Sequence, residues 1–310
     1  MIRLTLQNNT EKTVELLDEI IENDTILKID YIVVRGDCWA HTDEYSNFRL
    51  TSLPENMNFP NLHEFNFYGH NLTSLPDNMS FPNLIRLDFT NNKLTSLPEN
   101  MSFPNLISFR CIGNQLSSLP KNMNFPNLQE FYCCYNKLIS LPEDMNFPNL
   151  IRLECVENQL TSLPDNMSFP NLQEFICSRN KLTLLPKNMN FPNLQYFCCG
   201  RNQLTSLPDN MSFPNLTSFD CNSNHLTSLP ENMSLPNLIS FDCNSNQLTS
   251  LPENMSFPNL QKFYYNSNQL TSLPLCILNW KNIIHIYYNN PIKSSPQIKE
   301  FINCNKHSWY

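Results

Sequence analysis

The strongest constraint on the fold is a repeat of 22 residues that runs through most of the chain. One unit, residues 106–127, reads LISFRCIGNQLSSLPKNMNFPN. A shorter unit, LTSLPENMNFPN, precedes the array from Leu50, and a divergent unit begins near Ile283 after a one-residue insertion. A unit this short cannot bury its apolar face alone, so the repeat predicts units that stack and share one core. The leucines that begin the regular units are Leu62, Leu84, Leu106, Leu128, Leu150, Leu172, Leu194, Leu216, Leu238 and Leu260.

Each unit contains an alternating segment, a fixed asparagine and a proline-containing stretch. The segment L-x-x-F-x-C places leucine, phenylalanine and cysteine on one face of a short strand and the x residues on the other. Stacked units then form a parallel sheet. The asparagine that follows, such as Asn136, carries amide donors and an acceptor that can pair the backbone of the turn. The proline of LTSLP opposes a further strand, which predicts extended or short 3₁₀ segments on the outer side.

Each unit matches the pattern L-x-x-L-x-L-x-x-N-x-L, with phenylalanine often at the second leucine and cysteine at the third. In this pattern the chain is similar to leucine-rich-repeat proteins. The resemblance implies an α/β solenoid, a leucine-rich-repeat horseshoe with a parallel concave β-sheet and an irregular or 3₁₀ convex side. The LTSLP element resembles the repeats of bacterial effector proteins. The 22-residue form with Phe-Pro-Asn, together with abundant asparagine and a single alanine, is most similar to the repeat proteins of mimivirus-type giant viruses.

The two ends depart from the repeat and are predicted to cap it. Residues 1–49 form the predicted N-terminal cap, with a strand at Ile2–Leu6, an amphipathic helix at 13–21 and a second strand at 26–34. Residues 50–282 form the repeat array. Residues 283–310 form the last divergent repeat and a C-terminal helical cap, because Ser295-Pro296 is a favourable helix start. Solenoids need such atypical end units to cover the exposed core.

Composition excludes several classes of function. A net charge of −8 opposes nucleic acid as a partner. No apolar run approaches the ~18 residues of a membrane helix, and the first residues lack a signal-peptide core. We therefore expect a cytoplasmic protein, in the host cell if the chain is viral. The four glycines are too dispersed for a phosphate loop, and no catalytic triad stands out. The sequence predicts no enzyme activity, no cofactor and no metal.

Cysteine occurs twelve times, and the repeat explains most of these residues. Seven share one inward column and are predicted to be reduced, small apolar side chains, with Tyr265 and Tyr288 continuing the column at its C-terminal end. Two Cys-x-x-His pairs, at 38–41 and 304–307, could supply zinc ligands, but they lie at opposite ends of the array. The column contains Cys111, Cys133, Cys155, Cys177, Cys199, Cys221 and Cys243.

The units differ most at the x positions of the strands, which are predicted to form the open, concave face. The middle units carry apolar residues there and the flanking units carry charged ones, a pattern typical of a protein-binding surface. Unselected drift at exposed positions is the alternative. The predicted partner-binding residues are Arg86, Asp88, Arg110, Ile112, Tyr132, Cys134, Val156, Ile176, Tyr196, Cys198, Asp220, Asp242 and Tyr264.

These observations predict a non-catalytic leucine-rich-repeat scaffold that binds a protein through its concave face. The partner is unidentified, and is a host protein if the chain is viral. Tyr132, Ile176 and Tyr196 are the predicted central anchors. Two alternatives stay open: a structural or packaging component without a dedicated partner site, and a substrate-recognition adaptor of a ubiquitin ligase. The sequence makes no prediction about the oligomeric state or the curvature of the array.

Overall fold

The structure is a computed structural model that describes residues 2–6, 11–14, 29–35, 49–280, 283–293 and 295–304. The chain divides into two compact units, Met1–Gln159 and Leu160–Tyr310, called here the first and second unit. The repeat coils of both units have the same design. A coil contributes one short strand, a turn and an irregular outer segment to its unit.

The strands of the first unit lie in one sheet. Strands β3 to β8 are parallel and pair in chain order, whereas β1 pairs antiparallel with both β2 and β3. The sheet therefore extends beyond the first regular coil into the N-terminal segment. Its strands are β1 (Ile2–Leu6), β2 (Glu11–Val14), β3 (Ile29–Arg35), β4 (Glu64–Tyr68), β5 (Arg86–Asp88), β6 (Ser108–Arg110), β7 (Glu130–Tyr132) and β8 (Arg152–Glu154).

The N-terminal segment differs in part from the expected strand–helix–strand order. A strand occupies Ile2–Leu6 as expected, but Thr13 and Val14 belong to β2. The hydrogen bonds between β1 and β2 hold these two residues extended, so no helix begins at Thr13. Residues 15–21 of the expected helix lie outside the described residues. The later strand is β3, which pairs in parallel with β4.

The second unit repeats the parallel arrangement and adds two short helices. Its strands pair in chain order from β9 to β14. A 3₁₀ helix precedes the last strand and an α-helix, α1, follows it. The elements are β9 (Glu174–Ile176), β10 (Tyr196–Cys198), β11 (Ser218–Asp220), β12 (Ser240–Asp242), β13 (Lys262–Tyr264), the 3₁₀ helix (Leu275–Asn279), β14 (Ile284–Ile286) and α1 (Pro296–Cys304).

The last coil corrects one expectation from the sequence. Phe263 pairs with His285, an offset of 22 residues, so the strand register contains no insertion. The inward column therefore continues at Tyr287, whose ring lies 6.4 Å from that of Tyr265. Tyr288, which the sequence placed in this column, is 59% exposed.

The core of each unit is built from stacked aromatic rings. In the first unit, the strand residues Phe109 and Phe131 stack with ring centroids 5.4 Å apart. Phe125, from the Phe-Pro-Asn motif of the outer segment, meets Phe109 edge-on at 5.8 Å. In the second unit, Phe197 and Phe219 stack at 5.5 Å. All of these rings are at least 99% buried, which confirms the inward face predicted from alternation.

The fixed asparagines satisfy the backbone of the turns, as the sequence predicts. Asn136 accepts a hydrogen bond from the N–H of Leu116 at 3.0 Å and donates to the carbonyls of Cys111 and Cys133 at 2.9 and 3.1 Å. Asn224 makes the same three bonds in the second unit. Each side chain thus links its own turn to the coil before it. Buried backbone groups that would otherwise be unpaired are satisfied in this way.

The residue before each fixed asparagine has a left-handed backbone. Its φ is 55° at Tyr135 and 53° at Ser223, although glycine accepts this conformation most readily. This column was not predicted from the sequence. The signal was present, because the same position is Gly69 and Gly113 in two coils. The left-handed turn returns the chain from the strand to the outer segment.

Candidate functional site

The open face of the first unit carries three arginines that pair with glutamates, namely Arg86, Arg110 and Arg152. Arg86 lies 2.9 Å from Glu64 on the neighbouring strand. Arg110 lies 3.8 Å from Glu130, and its guanidinium carbon lies 4.8 Å from the centre of the Tyr132 ring. Strand pairing places Arg110 directly beside Tyr132, which explains this cation–π contact. The arginine side chains remain partly exposed and are available to a partner.

Tyr132 and Cys134 are less exposed than the sequence suggested. Their exposed fractions are 7% and 4%, so the prediction of an open apolar centre is wrong for both. Arg110 lies across the ring of Tyr132, and Arg152 bonds to its hydroxyl. Burial, followed by the charge of Glu130, raises the pKa of Tyr132. The tyrosine supports Arg110, because long basic side chains cover apolar surface while keeping their charge in water.

The other predicted residues of the first unit border this cluster. Ile112 and Val156 are half-buried, and Asp88 on β5 is half-buried beside Arg110 in the strand register. Asp88 also accepts a hydrogen bond from the N–H of Thr90 at 2.8 Å, which fixes its carboxylate. The first unit therefore presents partly exposed arginines with two aliphatic side chains near them.

The open face of the second unit begins with an apolar group. Ile176 and Tyr196 are half-buried. Cys198 is only 8% exposed, so the prediction of an open apolar residue is wrong here too. Burial raises the pKa of Tyr196 to about 12 and that of Cys198 to about 11. The Cys198 thiol is therefore protonated at neutral pH, and it donates to the carboxylate of Asp220 at 3.6 Å. A protonated thiol is a poor nucleophile and metal ligand.

Asp220 and Asp242 stand side by side on β11 and β12. Asp220 accepts hydrogen bonds from the backbone and side chain of Asn222 at 2.9 and 2.7 Å, and Asp242 accepts one from the N–H of Asn244 at 2.9 Å. Burial raises the pKa of both carboxyls, that of Asp242 to about 6. Among the described residues, no ion pair neutralises either one. Tyr264 lies beyond Asp242 on β13 and is half-buried.

We predict that Asp242→Asn stabilises the protein at neutral pH. The folded pKa of about 6 lies above the ordinary value of 3.8, so ionisation of Asp242 costs stability as the pH rises between these values. Solvent screening of this partly exposed carboxylate keeps the gain near 1 kcal/mol. Urea unfolding at pH 7.5 and pH 4 measures it. The gain should be present at pH 7.5 and small at pH 4; an equal gain at both would contradict the assignment.

The inward cysteines are buried thiols in the described part of the chain. Burial raises the pKa of Cys133 and Cys221 well above the ordinary value, so both are neutral. The structure therefore supports the prediction of small apolar side chains in this column. No group of three or more His, Cys, Asp or Glu side chains within the described ranges could hold a metal ion. Of the two Cys-x-x-His pairs, none of the side chains is among those described.

A second asparagine ladder, which was not predicted from the sequence, lines a shallow groove in the first unit. Asn105 and Asn127, from the Pro-Asn pair of each coil, donate to the proline carbonyl of the preceding coil at 2.9 and 2.8 Å. The groove encloses about 570 Å³ and is flanked by Ile85 and Ile107. The repeated Pro-Asn pair was the available signal. These amides link neighbouring coils, and the hydrogen bonds give them a structural role.

Parallel single-strand coils, stacked inward leucine and phenylalanine, and turn asparagines together define the leucine-rich-repeat fold. Among solved structures, the chain is similar to YopM, a leucine-rich effector protein from Yersinia pestis, at 25% identity over 80% of this chain and 77% of that one, with a TM-score of 0.52. It is similar to InlP of Listeria monocytogenes at 25% identity over 70% of this chain and a TM-score of 0.50, and it spans only 55% of that chain.

A third similar structure is a chain from the octameric complex of Latrophilin 3, Unc5D and FLRT2, in which FLRT2 supplies leucine-rich repeats. The identity is 18% over 75% of this chain and 83% of that one, with a TM-score of 0.50, which shows likeness of fold alone. No protein-family model matches the chain, and no curated protein sequence matches it. No helix in the described ranges is long and apolar enough to cross a membrane.

Proposed function

We propose that this chain is a non-catalytic scaffold that binds a protein through the open face of its sheet. One observation carries the proposal: open-face residues vary from coil to coil between charged, polar and apolar types, whereas the inward strand positions of the regular coils stay apolar and the fixed asparagine recurs. In the first unit, the open-face residues include Arg86, Arg110 and Arg152 on three strands. In the second unit they include Ile176 and Tyr196. Arginine and tyrosine are favoured anchors of protein interfaces.

The two units offer different chemistry to a partner. The first presents guanidinium groups held by glutamates and by the Tyr132 ring, so it suits acidic or aromatic side chains. The second presents an apolar group at Ile176 and Tyr196 followed by the Asp220 and Asp242 carboxylates. Charge and apolar area of this kind give an interface both specificity and affinity.

The absence of catalysis is supported by the protonation of the open-face thiols. Burial raises the pKa of Cys134 to about 12 and that of Cys198 to about 11, so neither is a ready nucleophile at neutral pH. The octameric complex that contains FLRT2 shows the same fold inside a protein assembly. This precedent supports a protein partner for the present chain.

We further propose a giant-virus origin and a cytoplasmic location in the host cell. The origin is supported by the 22-residue unit with Phe-Pro-Asn and by the asparagine-rich, alanine-poor composition. The location is supported by the many cysteines, which persist as thiols in a reducing compartment. The partner that binds the open face is then a host protein.

Affinity capture from host-cell lysate tests the proposed function. The comparison uses the wild type, a first-unit variant (Arg110→Ser with Ile112→Ser) and a second-unit variant (Ile176→Ser with Tyr196→Ser). A matched control carries Thr205→Ala with Ser206→Ala on the exposed outer segment. The captured protein is then purified and titrated against each variant. We expect at least one open-face variant to lose tenfold or more in affinity, roughly the effect of losing an interface anchor.

The control should bind like the wild type, and all variants should unfold at a similar urea concentration. Equal binding by all four proteins would contradict the proposed binding face. Loss of binding by the outer control alone would favour a structural or packaging role for the outer segment. Capture of ubiquitin-ligase subunits, together with a substrate that depends on the open face, would favour the adaptor alternative.

A further inference from the structure

His285 occupies a core position that is aromatic and apolar in the preceding coils. It lies in the middle of β14 and pairs with Phe263 of β13. Phe219 and Phe241 hold the same position in earlier coils of the second unit. His285 is only 8% exposed, so an ionisable imidazole has replaced a phenyl ring inside the core.

The contacts of His285 link the last coil to α1. Its Nδ1 lies 2.9 Å from the Tyr265 hydroxyl oxygen. Its ring stacks on Tyr287 at 5.4 Å and meets Phe301 of α1 at the same distance. Its Nε2 is buried and has no hydrogen-bond partner among the described residues. The imidazole is therefore one of the contacts that hold α1 against the end of the sheet.

This environment accepts the neutral imidazole and opposes the imidazolium. In the neutral form the Tyr265 hydroxyl can donate to Nδ1, which leaves the proton on Nε2. The small cavity beside the ring is lined by apolar side chains that include Ile277 and Trp280. A charge placed there loses its hydration without gaining a counter-charge.

No carboxylate among the described side chains compensates a charge on His285. The ionisable groups that contact His285 are Tyr265, directly after β13, and Tyr287, directly after β14. On the neighbouring elements, Lys262 and Tyr264 of β13 lie on the opposite, open face, and Cys276 lies in the 3₁₀ helix. On α1, Glu300 is exposed to solvent. Burial accordingly lowers the pKa of His285 to about 4.

We propose that His285 is an acid-sensitive latch, and that its protonation releases α1 and the last coil from the rest of the second unit. Release hydrates the imidazolium and exposes the apolar surface at Trp280 and Phe301. In acidic surroundings the last coil would thereby present an exposed apolar surface, while the earlier coils stay folded. Solenoids allow such local opening, because each coil contacts only its neighbours.

The pH dependence of opening follows from the protonation of His285 in the closed and the released states. Above the ordinary pKa of 6.5, His285 is neutral in both the closed and the released state, and the latch is closed. As the pH falls from 6.5 toward 4, the released state takes up the proton first, so opening becomes progressively easier. The difference between the two pKa values of His285, 6.5 in the released state and about 4 in the closed state, sets an upper limit of roughly 300-fold on the change in the opening equilibrium. Partial solvation reduces it, and we expect about 10-fold or more.

Hydrogen–deuterium exchange of the full chain tests the latch. Exchange is measured at pH 7.5 and pH 4.5 and corrected for the intrinsic pH dependence of the amides. In the wild type we expect peptides that cover 275–304 to open about tenfold more at pH 4.5, while those that cover β10 to β12 do not. His285→Phe restores the residue type of the preceding coils and should abolish the acid response.

Two further variants keep the test decisive. His285→Gln removes the titrating group with a polar side chain, so its response to acid should vanish even if it opens more at every pH. His225→Gln, at an exposed histidine whose Nδ1 lies 3.4 Å from the Gln247 amide, should keep the wild-type response. An acid response that persists in a folded His285 variant would overturn the proposal. So would a wild type that does not open at pH 4.5.

Discussion

Replacing Phe131 by alanine is expected to lower the free energy of unfolding by about 4 kcal/mol. The Phe131 ring is fully buried, stacks on Phe109 at 5.4 Å and meets Phe147 edge-on at 5.9 Å. Truncation leaves a cavity between neighbouring coils, which the stacked backbone has little freedom to close. Urea unfolding of the wild type and the variant measures the loss.

The matched control is Phe131→Leu, because leucine occupies this strand position at Leu87 and Leu153. Leucine refills most of the space, and we expect a loss of about 1 kcal/mol. A small effect of Phe131→Ala would mean that the ring is not inside a packed core. That outcome would contradict the inward face on which the open-face assignment also depends.

Replacing Asn136 by alanine is expected to cost about 3 kcal/mol, although the change removes little apolar surface. The variant leaves the Leu116 N–H and the carbonyls of Cys111 and Cys133 without their side-chain partner. Water cannot readily replace the amide, because the turn lies against the buried core. Because these hydrogen bonds join two coils, the loss of stability should appear as a lower urea midpoint for unfolding of the first unit.

An exposed asparagine of the same unit provides the control. Asn127 donates one hydrogen bond at 2.8 Å to the Pro104 carbonyl in a solvated groove. Asn127→Ala should therefore cost under about 1 kcal/mol, since water can take over the carbonyl. Equal effects at Asn127 and Asn136 would indicate that burial does not distinguish the two ladders.

Much of the fold could be predicted from the repeat, because its period and alternation act on every coil alike. Phe131 and Asn136 are two examples: one is inward by the two-residue period of a strand, and the other satisfies a turn that recurs. Prediction failed where the chain departs from the repeat. Thr13 and Val14 fit an amphipathic helix locally, but pairing with β1 holds them in a strand. Near Ile283, the local leucine pattern suggested an insertion that the strand register does not contain.

The candidate site was less predictable than the core, because side chains from neighbouring strands decide what is exposed there. Tyr132 lies on the open face as expected, yet Arg110 lies across its ring and leaves it 7% exposed. Asp242 was expected to be a solvated rim charge, but Asp220 stands beside it and burial raises its pKa. The alternation of one strand predicts which face a residue occupies, and it contains no information on how long side chains arrange themselves across strands.

Hydroxyl-radical footprinting of the chain, free and bound to its captured partner, shows which side chains the partner covers. If the partner binds the open face, side chains such as Arg110, Ile112, Ile176 or Tyr196 should be protected, and labelling of the exposed outer residues Thr205 and Leu184 should be unchanged. Protection confined to the outer segments, with the open face labelled equally in both states, would contradict binding through the open face.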